Sequence, residues 1–265
     1  MATVNDKYII ELERERKDLV DTLINKGVSV EKDAPLNELI PKVKELQNKD
    51  ALNEFINNEI TEYRNDKITN IGAYKFAYQT NLKKVYLPNV VSISTATFSG
   101  NTNLKYIYMP NLLSIGGSGF YNNINLKNCI FPKLNNMNTA IFQSCNGAMK
   151  NLIIPNVGSI ASDTFTPMAF ELIDCSARNA FGSSAIGRYT KTLILRSTIP
   201  PCSNIAHFSN IEEIYISQDY VEDMKKATNW STYADKIKPL EGSKYENLNW
   251  YENEDWYKEE MAVWQ

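Results

Sequence analysis

The sequence predicts an α+β protein in which a helical N-terminal region precedes a solenoid of about seven coils with a parallel sheet along one side. Two observations predict this fold. A motif recurs every 21 to 23 residues through the middle of the chain, which is typical of stacked repeats. Before it, apolar residues recur at steps of three and four, which favours amphipathic helices. The predicted parts are a helical attachment or oligomerisation region at 1–60, the solenoid with a helical C-terminal cap at 61–240, and an acidic, aromatic tail at 241–265.

The repeat consists of columns of residues that keep one register. Prolines at 88, 110, 132 and 155 follow steps of 22, 22 and 23, and phenylalanines follow the same steps. Proline ends the short strand before it, because it has no N–H to donate to a sheet. One such coil cannot bury its apolar face alone, whereas stacked coils can, so the pattern predicts a solenoid. The phenylalanine column consists of Phe76, Phe98, Phe120, Phe142 and Phe165.

The strand positions that alternate with the core form an outward ladder rich in tyrosine and isoleucine. Such a ladder is unusual unless a ligand, a sister subunit or another protein of a particle covers it. The alternative explanation is the high β-propensity of these two residue types. In the strand at 172–174, we assign Ile173 to the outward side and Asp174 to the inward side. The predicted partner- or ligand-binding surface comprises Tyr86, Tyr106, Tyr108, Ile130, Ile153, Ile173, Ile194 and Tyr215.

The N-terminal region carries a heptad-like apolar stripe that is interrupted at Arg16. Gly27 fits a helix stop, and residues 33–35 fit the start of a second helix. Two interpretations stay open. The helices either cap the following domain or associate with copies of themselves, because a narrow apolar seam usually needs a partner helix. The second interpretation predicts a homo-oligomer, with a trimer favoured, that is held together through Ile9, Leu12, Leu19 and Leu23.

The C-terminal tail interleaves aromatic and acidic residues, a composition that is atypical of a solvated linker. Aromatic side chains of this kind usually dock on a surface, either their own solenoid or a partner. The predicted docking residues are Trp250, Tyr251, Trp256, Tyr257 and Trp264.

Composition argues against catalysis and against several classes of ligand. With 28 basic and 31 acidic residues, the chain lacks the basic excess that nucleic-acid binding needs. Its one histidine, His207, and four scattered cysteines without a CxxC pair predict no catalytic residues, no metal site and no cofactor. A glycan-processing enzyme would need a carboxylate pair, which the sequence does not place. We expect no membrane insertion, since no apolar stretch approaches about 18 residues. We expect no secretory signal either, since the N-terminus reaches charged residues at once, without an apolar segment or a cleavage signature.

The repeat units resemble the leucine-rich repeats of the BspA-like class, in which a segment with phenylalanine alternates with a short strand that ends in proline. The resemblance covers residues 68–240 and includes the ending, where residues 220–240 look like the helical cap of that class. Val221, Met224, Ala227 and Trp230 recur there at three-residue steps. The resemblance implies a leucine-rich-repeat solenoid that serves as a general recognition scaffold.

Residues 19–43 are similar to the opening of bacteriophage tail and fibre structural proteins, with a helix, a Lys-Gly-Val turn and a second helix containing Leu-Ile-Pro-Lys-Val. This resemblance implies a non-enzymatic virion protein, a tail, fibre or capsid-appendage component made in the host cytoplasm. Its expected partners are other virion proteins or a host-surface receptor. The alternative is a BspA-like adhesin or interaction protein at a bacterial cell surface.

Overall fold

The structure is a computed structural model of the whole chain. It divides the chain into two compact units, Met1–Asn58 and Glu59–Gln265. The described residues are 13, 16–21, 23, 30–35, 38–39, 41–42, 60–145, 149–161, 164–165, 169–177, 179–181, 189–200 and 208–265.

In the first unit, residues 16–21 are helical. Val20, Leu23, Ala34 and Leu39 form a buried cluster, and Leu19 packs against it. Leu19 and Leu23, two of the predicted oligomerisation residues, are thus in contact with their own chain, whereas Ile9 and Leu12 lie outside the described residues. The helical region as a whole stays a prediction.

The second unit is a solenoid whose strands pair in parallel from coil to coil, which confirms the predicted repeat fold of about seven coils. Each complete coil contributes one strand to a main side, here called the main sheet, and a two-residue strand to a second, narrower side. Among the described strands, each side consists of two hydrogen-bonded sheets in line. The main side consists of β1 (Glu62–Arg64), β3 (Lys84–Tyr86), β5 (Tyr106–Tyr108), β7 (Asn128–Ile130), β9 (Asn151–Ile154), β11 (Leu172–Cys175), β13 (Thr192–Leu195), β14 (Glu213–Ile216) and β15 (Ile237–Pro239). The second side consists of β2 (Asn70–Ile71), β4 (Ser92–Ile93), β6 (Ser114–Ile115), β8 (Asn136–Met137), β10 (Ser159–Ile160) and β12 (Ala180–Phe181).

The phenylalanine column forms the centre of the core. Neighbouring rings stack nearly parallel, with centroids 5.1 Å apart for Phe76 and Phe98, 5.6 Å for Phe98 and Phe120, and 5.5 Å for Phe120 and Phe142. All of these side chains are buried. The 22-residue step therefore places one ring in each coil directly over the ring of the coil before.

Asparagine side chains join consecutive coils. After the strand-ending prolines, the amide of Asn111 donates to the carbonyl of Pro88 at 2.8 Å, and the amide of Asn156 donates to Pro132 at 2.6 Å. A second set lies at the next turn, where Asn125 donates to Thr102 at 2.8 Å. These bonds satisfy turn carbonyls that no strand partner reaches.

Each of the first four coils also holds two residues in the left-handed backbone region. The first set is Tyr74, Ala96, Ser118 and Ala140, and the second is Tyr78, Gly100, Asn122 and Ser144. In the second set Gly100 has a φ of +75°, and a Cβ there would lie 2.6 Å from the ring of Tyr78, which would have to move. Glycine adopts this backbone conformation without strain and asparagine adopts it more readily than most residues, so the two bulky tyrosines of the first coil are unusual.

The register of the main sheet corrects one predicted position. Asp174 pairs with Ile153 and Ile194, so it belongs to the outward column, whereas Ile173 pairs with Leu152 and Leu193 in the core. The step from Ile153 to its equivalent is 21 residues, and an assignment that is one residue short exchanges the two faces of the strand. Ile173 is therefore removed from the predicted binding surface.

The helical cap follows β14. A 3-10 helix (Gln218–Tyr220) leads into α1 (Val221–Lys226), and a second 3-10 helix (Ser231–Lys236) returns the chain to β15. Val221, Met224 and Trp230 are buried, and the indole N–H of Trp230 donates to the carbonyl of Pro200 at 3.2 Å. Beyond β15 the chain forms a third 3-10 helix (Trp250–Asn253) and α2 (Asp255–Ala262).

Candidate interaction surface on the main sheet

The C-terminal segment 241–265, here called the strap, runs back across the outward face of the main sheet. At one end Tyr245 packs edge-on against Tyr215 of β14, with ring centroids 5.0 Å apart. At the other end Trp264 packs on Tyr86 of β3 at 5.6 Å, and Arg64 of β1 donates to the Trp264 carbonyl at 3.3 Å. The strap therefore contacts both the last and the first coils of the solenoid.

The middle of the strap covers the apolar part of this face. A buried cluster joins Ile153, Leu172 and Ile194 of the sheet to strap aromatics, and Ile130 and Tyr215 pack at its margin. The strap residues in the cluster are Tyr245, Trp250 and Tyr251, with Trp256 and Tyr257 packed against it. Aromatic rings of the strap pack on aliphatic side chains of the sheet and give a large apolar contact, and the edge-on geometries among the strap rings are favourable ones.

A buried ion pair anchors the strap beneath this cluster. The guanidinium of Arg196 donates from Nε to Asp174 Oδ1 at 2.8 Å and from Nη2 to Asp174 Oδ2 at 2.8 Å. The indole N–H of Trp250 donates to the same Oδ2 at 2.8 Å. Burial raises the pKa of Asp174, while the bonds from Arg196 and Trp250 oppose that rise. The carboxylate thus has donors from both the solenoid and the strap.

Arg196 also holds the strap backbone. Its Nη2 donates to the carbonyl of Tyr245 at 2.7 Å, and its Nη1 donates to the carbonyl of Glu246 at 3.0 Å. The five donors of a guanidinium suit this arrangement, because one edge engages the carboxylate while the remaining N–H groups reach carbonyls. Arg196 therefore joins the carboxylate of Asp174 in the sheet to the backbone of the strap.

A second polar contact lies under α2. The amide of Asn151 donates to Asn128 Oδ1 at 2.9 Å, and the amide of Asn128 donates to Glu260 Oε2 at 2.6 Å. Burial raises the pKa of Glu260 to about 7, against the opposing effects of the Asn128 bond and the charge of Lys127. Glu260 is 6% exposed, so its carboxyl group is held in a site with little water.

The structure places the predicted ladder beneath the strap rather than on a free surface. Ile153 and Ile194 are fully buried, and Tyr86, Tyr106 and Tyr108 are half-buried beside Trp264. The apolar columns therefore already have a cover made of their own chain. The predicted tail residues Trp250, Tyr251 and Trp264 are buried, and Trp256 and Tyr257 are half-buried.

Sequence reasoning missed the polar residues of this contact: Asp174, Arg196, Asn128, Asn151 and Glu260. A 21-residue step applied to Ile153 reaches Asp174 and would have placed it outward. The contact of Asn128 with Glu260 could not be found this way, because Glu260 is 132 residues away in the chain.

The described residues offer no metal site, since no group of three or more His, Cys, Asp or Glu side chains comes together among them. Cys129, Cys145 and Cys175 are buried free thiols, and burial raises the pKa of Cys145 to about 12. His207 and Cys202 lie outside the described residues. In the described part of the chain, no helix has both the length and the apolar character needed to cross a bilayer.

Replacement of Glu260 by glutamine is expected to remove a pH dependence of stability. Between pH 4.5 and about 7, the folded protein keeps a proton on Glu260 that the unfolded chain has already released. The contribution of this group is therefore fully present below the lower value and is lost as pH rises through the higher one. From about pH 5 to about pH 8 the native protein should lose up to about 3 kcal/mol relative to Glu260→Gln.

Urea unfolding of both proteins at the two pH values measures this difference. Glu259→Gln is the matched control, because it removes the same charge from the exposed neighbouring position of α2. Equal pH slopes for the native protein and Glu260→Gln would show that Glu260 titrates normally and contradict the prediction.

Two solved structures are similar to this chain over about two thirds of its length. The crystal structure of the pneumococcal vaccine antigen PcpA is 16% identical with a TM-score of 0.43, over 68% of this chain and 40% of that chain. A leucine-rich repeat protein from Bacteroides ovatus is 15% identical with a TM-score of 0.31, over 68% of this chain and 66% of that chain. The chain thus matches less than half of the length of PcpA. No curated protein matches the sequence.

The repeats themselves match a known family. Residues 52–186 fit the family described as BspA type leucine-rich repeat region, with 6 copies. This match covers just over half of the 265 residues and coincides with the coils that carry the proline and phenylalanine columns. The chain therefore belongs to the BspA-type leucine-rich repeat family.

Proposed function

We propose that this chain is a non-enzymatic recognition protein whose repeat region makes protein–protein or surface contacts. The observation that supports this function is the strap, since the main sheet holds an aromatic, acidic peptide segment by ring packing and a buried ion pair. A regular sheet that recognises such a segment has the chemistry of a protein-binding face. Membership of the BspA-type family supports the same conclusion.

Within this function, we place the protein in a bacteriophage virion as a tail, fibre or capsid-appendage component. The resemblance of residues 19–43 to phage structural proteins supports this placement. In this arrangement the N-terminal unit attaches to the particle, and the repeats contact other virion proteins or a host-surface receptor. Several copies in one particle would add avidity to weak individual contacts.

A second placement, at a bacterial cell surface as an adhesin or interaction protein, is favoured by family membership alone. Mass spectrometry of purified phage particles and of washed cell-surface fractions from the same culture separates the two. Peptides of this chain at a stoichiometry comparable with known virion proteins support the virion placement. Their recovery only from the cell-surface fraction contradicts it and supports the adhesin.

The N-terminal unit is expected to make the full chain a homo-oligomer, with a trimer favoured. Sedimentation equilibrium of the full chain and of a truncated chain starting at residue 61 measures this. We expect a trimeric mass for the full chain and a monomeric mass for the truncated one, because the apolar stripe of the N-terminal region is then absent. A monomer in both cases would contradict oligomerisation through this region.

A further inference from the structure

We propose that a row of lysines, along the edge of the main sheet where its strands begin, binds a linear phosphate polymer without bases. Each coil from the second to the fifth places one lysine directly before its main-sheet strand. The members of this lysine row are Lys83 before β3, Lys105 before β5, Lys127 before β7 and Lys150 before β9. The inference goes beyond the proposed function, because it assigns a separate surface to a ligand that is not a protein.

Strand pairing places the lysine row in register. The residues that follow Lys83 and Lys105 pair with each other in β3 and β5, and those that follow Lys127 and Lys150 pair in β7 and β9. Paired strands lie about 4.8 Å apart, so the two lysines of each pair begin one strand spacing apart on the same edge. The step from Lys105 to Lys127 is again that of the repeat, which joins the two pairs into one row.

The ammonium groups of the lysine row have no carboxylate partner. Lys83, Lys127 and Lys150 are exposed, and Lys105 is half-buried. Within the described residues, none of the four forms an ion pair. The sequence gives the reason, because residues 67–162 contain eight lysines and no aspartate, glutamate or arginine. Since the whole chain has a net charge of −3, positive charge is concentrated in these coils.

The later coils show that the fold does not require lysine at this position. The column continues with Glu171, Lys191 and Glu212, each directly before a main-sheet strand, and the N–H of Glu171 donates to the carbonyl of Lys150 at 2.8 Å. There the signs alternate, and Lys191 pairs with Glu171 at 2.9 Å. Like charges on adjacent strands repel each other. The uniform sign of the lysine row therefore destabilises the solenoid slightly, and a bound polyanion would offset this repulsion.

The flank of the row that faces away from the strap is the open one. Towards the strap, Lys127 and Lys150 line a cleft with Glu259 and Glu260, and the charge of Lys127 acts on Glu260, whose carboxyl group accepts a hydrogen bond from Asn128. On their other flank the same two lysines line a groove of about 520 Å³ that contains no strap residue. The first two lysines of the row do not line the cleft. We therefore place the polymer along the outer flank.

The arrangement of the ammonium groups favours a polymer over a single anion, because four charges in line match a chain that carries a charge on every unit. Lysine binds phosphate as a point charge with freely rotating donors, whereas planar carboxylates are matched by the fork of arginine, which residues 67–162 lack. Nucleic-acid strands also stack successive bases on open aromatic rings. Next to the row, Tyr106 is covered by Lys105 at 5.0 Å and by Trp264 at 6.4 Å, which leaves the single exposed ring of Tyr189 in the groove.

Titration calorimetry of the full chain with long-chain inorganic polyphosphate tests this inference. Poly-L-glutamate, a carboxylate polymer, and a single-stranded DNA, a phosphate polymer with bases, serve as comparison ligands of similar charge. We expect saturable binding of polyphosphate and at least about tenfold weaker binding of both comparison ligands. Four phosphate contacts predict that affinity for polyphosphate falls on the order of 50-fold between about 50 and about 200 mM salt.

The double variant Lys83→Ala/Lys105→Ala removes half of the row at the end that does not line the cleft. It should weaken polyphosphate binding by about tenfold and reduce the loss over the same salt interval to about sevenfold, because two contacts remain. Lys67→Ala/Lys75→Ala is the matched control, since it removes two exposed lysines of the same acid-free stretch that lie outside the row, on the turns beside β2. We expect its affinity to stay within about twofold of that of the native protein.

Far-UV circular dichroism confirms that each variant is folded. The inference is overturned by an absence of polyphosphate binding at millimolar phosphate concentration and low salt. Equal binding of poly-L-glutamate or of the DNA also overturns it, because the row would then not select a phosphate polymer without bases. An equal loss of affinity in the two double variants overturns it as well, since net charge rather than the row would then determine binding.

Discussion

Arg196→Met is expected to lower the free energy of unfolding by about 3–5 kcal/mol, because it leaves the Asp174 carboxylate buried without its cation. The carboxylate is fully buried, and the arginine side chain is 6% exposed, so water cannot replace the missing partner. The same substitution removes the donors to the carbonyls of Tyr245 and Glu246. The loss should therefore appear both in global stability and in the attachment of the strap.

Urea unfolding monitored by tryptophan fluorescence measures this effect, since Trp250 is in direct contact with Asp174. Lys191→Met is the matched control. Lys191→Met removes the cation of the exposed ion pair between Lys191 and Glu171. Exposed ion pairs contribute little to stability, so we expect no measurable change in the free energy of unfolding. Similar losses in the two variants would contradict the assigned role of Arg196.

The double variant Asp174→Leu/Arg196→Met separates the ion pair from the strap contacts. Replacing both charges with apolar side chains of similar volume is often close to neutral in a protein interior. Here recovery should be partial, because the indole N–H of Trp250 and the strap carbonyls still lose their partners. Full recovery would show that Arg196 acts on Asp174 alone.

The repeat was predictable from sequence because its physical constraints act at fixed steps. One ring such as Phe98 is needed in each coil, and a proline such as Pro110 ends each strand, so both recur at 22 residues regardless of the rest of the chain. The same regularity failed at Asp174, because the step from Ile153 is 21 residues there and an assignment at 20 residues reaches Ile173 instead. A difference of one residue exchanges the two faces of the strand, and only the strand pairing with Ile153 fixes the face.

The strap was predictable as a docking segment but not in its path. Its tryptophans and tyrosines indicate burial, yet composition does not say against which surface. The path depends on individual long-range contacts, such as Arg64 with the Trp264 carbonyl and Asn128 with Glu260. Each is a pair of single residues without periodicity, so no local pattern in the sequence identifies it.

The strap changes how the solenoid is expected to unfold. A repeat array normally approximates a row of units that contact only their neighbours, so that terminal coils can open separately. Here one segment contacts Tyr215 in the last coils and Tyr86 near the first. Opening of a coil in between requires the strap to leave as well, because the strap packs on Ile153 and Ile194 in the middle of the sheet. The strap should therefore make the solenoid unfold as one unit.

Phe120→Ala tests this cooperativity through the core and is expected to cost about 3–5 kcal/mol. The ring is fully buried and stacks at 5.6 Å on Phe98 and at 5.5 Å on Phe142, so its removal leaves a cavity that the stacked coils on either side cannot easily fill. Tyr121→Ala is the matched control, since the next side chain is 38% exposed, and we expect a change within about 0.5 kcal/mol.

Two signals follow the unfolding of Phe120→Ala separately. Trp250, Trp256 and Trp264 lie in the strap, so fluorescence reports mainly strap release, whereas far-UV circular dichroism reports the solenoid strands. If the strap joins the coils into one unit, both signals shift to lower urea by the same amount and their midpoints coincide. A strap transition that keeps its native midpoint while the strands melt earlier would show that the two parts unfold independently, and the proposed coupling would be wrong.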